Sequence, residues 1–159
     1  MRLSDSIRIA EYEGVIREVL ASGGEFRLYP HGTSMLPLIR QGRDSVALRA
    51  LDRPARAQDI LFYQRRDGSY VLHRVKKVTP NGMILWGDHQ LVLEHGVTGD
   101  QIIGYASRIF RDDHEVDCHS FGYRLYLWLW QFMAIRSPVL RIAYHIRKEN
   151  DSNAEDRTR

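Results

Sequence analysis

A serine hydroxyl is a poor nucleophile until a base removes its proton, so a reactive serine needs an exposed turn and a backbone that can approach an oxyanion. The segment Gly32-Thr33-Ser34-Met35-Leu36-Pro37 has that character. Gly32 permits close backbone approach, Pro37 fixes its own φ on the far side, and Met35 offers a flexible apolar side chain to a groove or to the core. Taken alone, the same residues also describe an ordinary loop serine. A base is available in Tyr70-Val71-Leu72-His73-Arg74-Val75, an alternating run in which His73 shares a strand face with Val71 and Val75, away from Arg74. A core histidine bonded to backbone is the plainer reading of that run by itself. Trp86-Gly87-Asp88-His89-Gln90, followed by Glu94, supplies two carboxylates. Either Asp88 or Glu94 could hold the second ring nitrogen of a histidine, fixing its tautomer, although turn formation and solvation also account for them. On a regular strand Lys77 would share the His73 face, at about 13 Å, too far to replace it.

These residues must be positioned by short strands. From Phe26 to Phe110 the chain runs through FRLY, DSVALRAL, DILFYQR, YVLHRVKKV, MILW and QIIGYASRIF, separated by Gly, Pro, Asn and Asp. This texture predicts antiparallel β structure, with Arg66-Asp67-Gly68-Ser69 and Pro80-Asn81-Gly82 as hairpin turns. Before it, residues 4–21 place Ile7, Ile9, Ala10, Val15, Ile16, Val19 and Leu20 at mostly helical spacing, and Gly23-Gly24 end the pattern. After Arg111 the chain is polar, then aromatic and aliphatic from Phe121 to Ile135, and Ser137-Pro138 opens a further helix over about 138–148. The expected organisation is an amphipathic helix (1–24), a β domain (25–111) and a helical extension with a frayed tail (112–159), in a mainly β, α+β class.

Composition narrows the function classes. A chain of 159 residues can bury one core without a metal or disulfides, and its single cysteine, Cys118, has no internal partner. A net charge of +3 with 20 interspersed acidic residues does not suggest nucleic acid. The charged amino terminus lacks the apolar run of a secretory signal, so a cytoplasmic protein is expected. Leu125–Ile135 is uncharged but falls short of the ~20 residues that cross a bilayer. His89, His95, His114 and His119, with Cys118, match no compact zinc spacing. No metal or cofactor is expected.

In order along the chain, GTSMLP, the GRDSVAL and QDILFY strand pair, VLHRV, GDHQ with an acid beyond it, and IIGYASRIF resemble the S24/S26 peptidase superfamily of type I signal peptidases and LexA-like self-cleaving proteins. The resemblance covers about residues 26–111 and implies that superfamily's complex antiparallel β fold. It makes Ser34 the nucleophile. Where bacterial signal peptidases and LexA-like proteins use a lysine, this chain has His73. The substitution is similar to the endoplasmic-reticulum and archaeal type of signal peptidase, in which a histidine before Arg-Val is the base. By that resemblance Glu94 occupies the acid's position, where that branch carries aspartate, and Asp88 is the aspartate of the Gly-Asp pair.

The resemblance implies a serine endopeptidase that cuts a peptide or protein precursor through an acyl-enzyme. Its candidate catalytic residues are Ser34, His73, Glu94 and Asp88. The oxyanion would be held by the Ser34 turn backbone and the Thr33 hydroxyl. An extended substrate would lie along a strand edge near Ser34, its side chains entering pockets lined by Met35, Leu36 and Phe62. A non-catalytic peptide-binding module and a LexA-like self-cleaving protein are the alternatives. Residues 121–148 are expected to form two short helices. Tyr123, Tyr126, Trp128, Trp130 and Phe132, fringed by Arg124, Arg136, Arg141, Arg147 and Lys148, suit peripheral attachment to the cytoplasmic membrane face or to a partner, or else packing on the β domain.

Overall fold

The structure is a computed structural model that describes residues 3–118 and 120–131. It is mainly antiparallel β with two helices, an α+β class. The chain divides into two units after Cys118. The first contains helix α1 (Leu3–Ala21) and eight strands: β1 (Phe26–Leu28), β2 (Asp44–Arg49), β3 (Ile60–Gln64), β4 (Tyr70–Thr79), β5 (Gly82–Trp86), β6 (Glu94–Val97), β7 (Ile102–Arg111) and β8 (His114–Glu115). The second contributes helix α2 (Phe121–Gln131). The further helix expected over 138–148 lies outside the described residues.

The strands form one sheet in the order β1-β2-β7-β3-β4-β5-β6, with β8 paired to β7. The turn chemistry acts as expected: Arg66-Asp67-Gly68-Ser69 joins β3 to β4, and Pro80-Asn81 closes the β4–β5 hairpin, in which Thr79 pairs with Gly82. Strand β7 is shared, its first half pairing with β3 and its second half with β2. The polar stretch after Arg111 contains a hairpin of its own. Asp112 and Asp113 both adopt positive φ (47° and 64°), so Arg111 pairs with His114 across a two-residue turn.

Register determines what the central strands present. Leu61 pairs with His73, Val75 with Leu85, and Leu85 with Glu94. Cross-strand partners share a face, and residues two apart on a strand share it too. Leu61, Tyr63, His73, Val75, Leu85 and Glu94 therefore lie on one side of the sheet. That side carries the core cluster of Leu61, Tyr63, Val75, Met83, Leu85 and Val97. The expectation that Lys77 joins His73 on this side does not hold. A bulge at Lys76 makes Lys77 the partner of Ile84, while Val75 pairs with Leu85, so the extra residue turns Lys77 to the opposite face.

Helix α1 docks through Ile16 and Leu20, both buried. Polar contacts fix its rotation: Arg17 donates to the Ile102 carbonyl at 3.3 Å, and the Tyr70 hydroxyl donates to Glu13. Burial, reinforced by that carboxylate, pushes the Tyr70 hydroxyl up to about 12. Among the described residues, no helix is long and apolar enough to cross a membrane.

Candidate active site

Ser34 sits in the turn between β1 and β2. Gly32, at φ 93°, starts this turn in a conformation that side chains rarely adopt, and its N–H is held by the Gln41 side chain at 2.7 Å. Within the turn, Leu36 N–H bonds the Thr33 carbonyl at 3.2 Å and Ile39 N–H bonds the Met35 carbonyl at 2.9 Å. Met35 is buried, Thr33 exposed and Ser34 half-buried.

The loop after β5 holds this turn from the other side. His89 N–H donates to the Ser34 carbonyl at 2.7 Å. A Cβ on Gly87 would stand 2.6 Å from the same oxygen, so only glycine lets the two backbones meet. Asp88, between them, is fully buried and receives two hydrogen bonds from Arg74, at 2.9 and 2.8 Å. Arg74 alternates with His73 and lies on the other face of β4, which is why the Asp88 carboxylate is engaged there and not at the imidazole. Of the two carboxylates considered in the sequence, Asp88 is therefore brought to Arg74 and not to His73, in the loop whose backbone holds Ser34.

The second carboxylate meets the histidine. Glu94, at the start of edge strand β6, places Oε1 3.0 Å from His73 Nδ1. It also accepts from the Tyr63 hydroxyl at 2.7 Å and from Arg65 Nε at 2.9 Å, and a second Arg65 nitrogen closes on Oε1. Burial alone would raise the Glu94 pKa, but the hydrogen bonds from Arg65, His73 and Tyr63 outweigh it and hold the carboxyl well below its usual range. Burial first, then the neighbouring carboxylate, pushes the Tyr63 hydroxyl far above its usual range. The phenol therefore stays protonated. His73 itself is buried, and its Nε2 has no hydrogen-bond partner among the described residues.

Ser34 and His73 line one cleft of about 200 Å³. Its walls include Thr33, Met35, Phe62, Tyr70, Gln90 and, from α1, Ile9. Leu36, expected as a pocket residue, is not part of this lining, whereas Met35 is part of it and buried. Three contributors were not evident in the sequence. Tyr63 and Arg65 bind Glu94 from β3 and the turn beyond it, and α1 walls the cleft. Tyr63 alone left a trace, since a tyrosine on a core-facing strand position needs a partner for its hydroxyl. Among the described residues, no three His, Cys, Asp or Glu side chains are grouped to hold a metal ion.

In comparisons with known proteins, no family model, no curated protein and no solved structure matches the chain.

Proposed function

We propose that the protein is a serine endopeptidase of signal-peptidase-like type, acting on a peptide or protein precursor on an S24/S26-like β scaffold. One observation carries the reading. His73 and Ser34 line one cleft, with one imidazole nitrogen fixed by Glu94 and the other without a partner among the described residues. A core histidine serving only structure would be expected to satisfy both nitrogens.

In the proposed reaction His73 Nε2 takes the Ser34 proton as Oγ attacks the scissile carbonyl. The backbone of the Ser34 turn and the Thr33 hydroxyl hold the oxyanion that forms. His73 then returns the proton to the leaving amine, and a water repeats the sequence on the acyl-enzyme. Glu94 stabilises the imidazolium at each stage. An extended peptide fits the cleft beside edge strand β1, with an apolar side chain against Met35 and Phe62.

The test is digestion of a proteome-derived peptide library, with products read by mass spectrometry. Wild type should produce cleavages that vanish in Ser34→Ala. Cleavages unchanged in that variant, or none at all from wild type, would contradict the reading, and retained peptide binding without cleavage would make the protein a binding module.

We also infer that α2 attaches the protein peripherally to a membrane. Phe121, Leu125, Trp128 and Leu129 recur at i, i+4, i+7 and i+8 and are exposed, an apolar stripe of the kind that enters the headgroup boundary. Full-length protein should sediment with anionic liposomes at low salt, and recovery in the supernatant at both low and high salt would refute the attachment.

A further inference from the structure

We propose that Tyr63 and Arg65 are positioning residues that dictate which nitrogen of His73 carries the proton. The inference deepens the peptidase reading and rests on it for its catalytic consequence, although its structural core can be measured without any substrate.

Donors and acceptors around the ring decide its tautomer. His73 Nδ1 faces two oxygens, Glu94 Oε1 at 3.0 Å and the Tyr63 hydroxyl at 3.3 Å. The Tyr63 proton is committed elsewhere, because its hydroxyl donates to Glu94 Oε2 at 2.7 Å. Toward the ring, the phenol oxygen can then only accept. An ionised carboxylate also only accepts. Both neighbours of Nδ1 are therefore acceptors, and a neutral ring satisfies them in one way, with its proton on Nδ1. Nε2 is left with a lone pair, the form a base beside Ser34 requires.

The ring keeps this tautomer only while Glu94 stays ionised and keeps its rotamer. Arg65 secures both. Its guanidinium takes one bond to each carboxylate oxygen, a forked geometry that lysine cannot reproduce. With His73 on Oε1 and Tyr63 on Oε2, the carboxylate receives four donors and its lone pairs are filled. Loss of Arg65 would free the carboxylate to turn from the ring. Loss of the Tyr63 hydroxyl would remove one of the two acceptors at Nδ1 and one of the two donors on Oε2.

The experiment pairs a tautomer measurement with a reactivity measurement. Long-range ¹⁵N–¹H correlation spectra of the full chain, at a pH where the ring is neutral, identify the protonated nitrogen of His73. Labelling by a fluorophosphonate, in which serine displaces fluoride, reports the nucleophilicity of Ser34. In wild type the spectra should show the Nδ1–H form. Arg65→Gln should mix in the other tautomer and slow labelling by at least about tenfold, the scale on which an outer partner of a functional histidine matters. Tyr63→Phe should give a smaller change of the same kind, and Arg65→Lys should restore only part of the loss.

An Nε2–H form in wild type would overturn the proposal, whatever the variants do. So would an unchanged tautomer in Arg65→Gln and Tyr63→Phe. If Arg65→Gln does not fold, the wild type, Arg65→Lys and Tyr63→Phe still decide the matter. A tautomer that responds to Arg65, in a protein whose Ser34 never labels and which cuts no peptide, would uphold this inference and defeat the peptidase reading.

Discussion

Adjacent residues of β4, His73 and Arg74, each meet a carboxylate, on opposite faces of the sheet. Arg74 and Asp88 are both buried and joined by two bonds at 2.9 and 2.8 Å, and Arg74 reaches on to the Gln58 carbonyl. The Glu94 carboxylate, by contrast, is 21% exposed, and the ring it meets lines the cleft and has one nitrogen without a hydrogen-bond partner among the described residues. Two buried charges closed on each other are a device for holding backbone, here the loop on the Ser34 carbonyl. A carboxylate on one side of an imidazole, with a nitrogen that has no partner among the described residues on the other, suits the proton transfer proposed for His73. Pairing in sequence does not separate the two functions; what lies on the far side of each partner does.

The sharpest way to break this comparison is through the sealed pair. Asp88→Ala should cost about 3–5 kcal/mol of stability by taking the carboxylate away from the buried Arg74 charge. Replacing both partners, as Arg74→Met with Asp88→Leu, should recover most of that loss. Denaturant unfolding measures both effects. A loss below about 1 kcal/mol for Asp88→Ala would mean that water reaches the pair and that the two sites are not different in kind.

Glu94→Gln should show the opposite balance. Arg65 is partly exposed and can turn to water, so the stability cost should stay near 1 kcal/mol, as for other accessible pairs. Turnover should fall about a hundredfold or more, because the imidazolium loses its counter-charge. A large stability loss with turnover preserved would make Glu94 the structural acid and reverse the assignment.

A smaller effect follows from acid. The Glu94 carboxyl is lowered in the folded protein from an ordinary 4.5, and Asp44 and Asp59 are lowered as well. A carboxyl with a depressed folded pKa contributes stability that is present above its unfolded value and is lost as pH falls through its folded value. Thermal unfolding midpoints should therefore be level above about pH 5 and decline below about pH 4. Glu94→Gln should make that acid decline shallower. An equal slope in wild type and variant would remove Glu94 from the balance.

The same comparison shows what a sequence can disclose. Turn residues and alternation are local, so the β3–β4 and β4–β5 hairpins and the face of His73 could be read directly. The choice between Asp88 and Glu94 was not local. It depends on the register of β5 against β6, which sets Glu94 opposite Leu85, and on the buried position of Arg74, whose charge has to be met. The bulge at Lys76 changed the face of Lys77 without any glycine or proline to announce it. The β7–β8 hairpin was hidden for a related reason. Two aspartates supply the positive φ values that Asn-Gly or Asp-Gly ordinarily provide, a conformation their short polar side chains tolerate. Tyr63 and Arg65 reach Glu94 across 31 and 29 positions of chain, beyond what any window of sequence shows.

The central claim is that Ser34 and His73 form one proton-transfer unit, and a double-mutant cycle on peptide hydrolysis tests it most directly. With a peptide found to be cut by wild type, kcat/KM would be measured for Ser34→Ala, His73→Ala and the double variant. Each single change should cost about 10³-fold or more, and the double variant should be hardly worse than either, because removing one half of a unit disables the other. Losses that multiply in the double variant, or a Ser34→Ala protein that hydrolyses the peptide as wild type does, would contradict it.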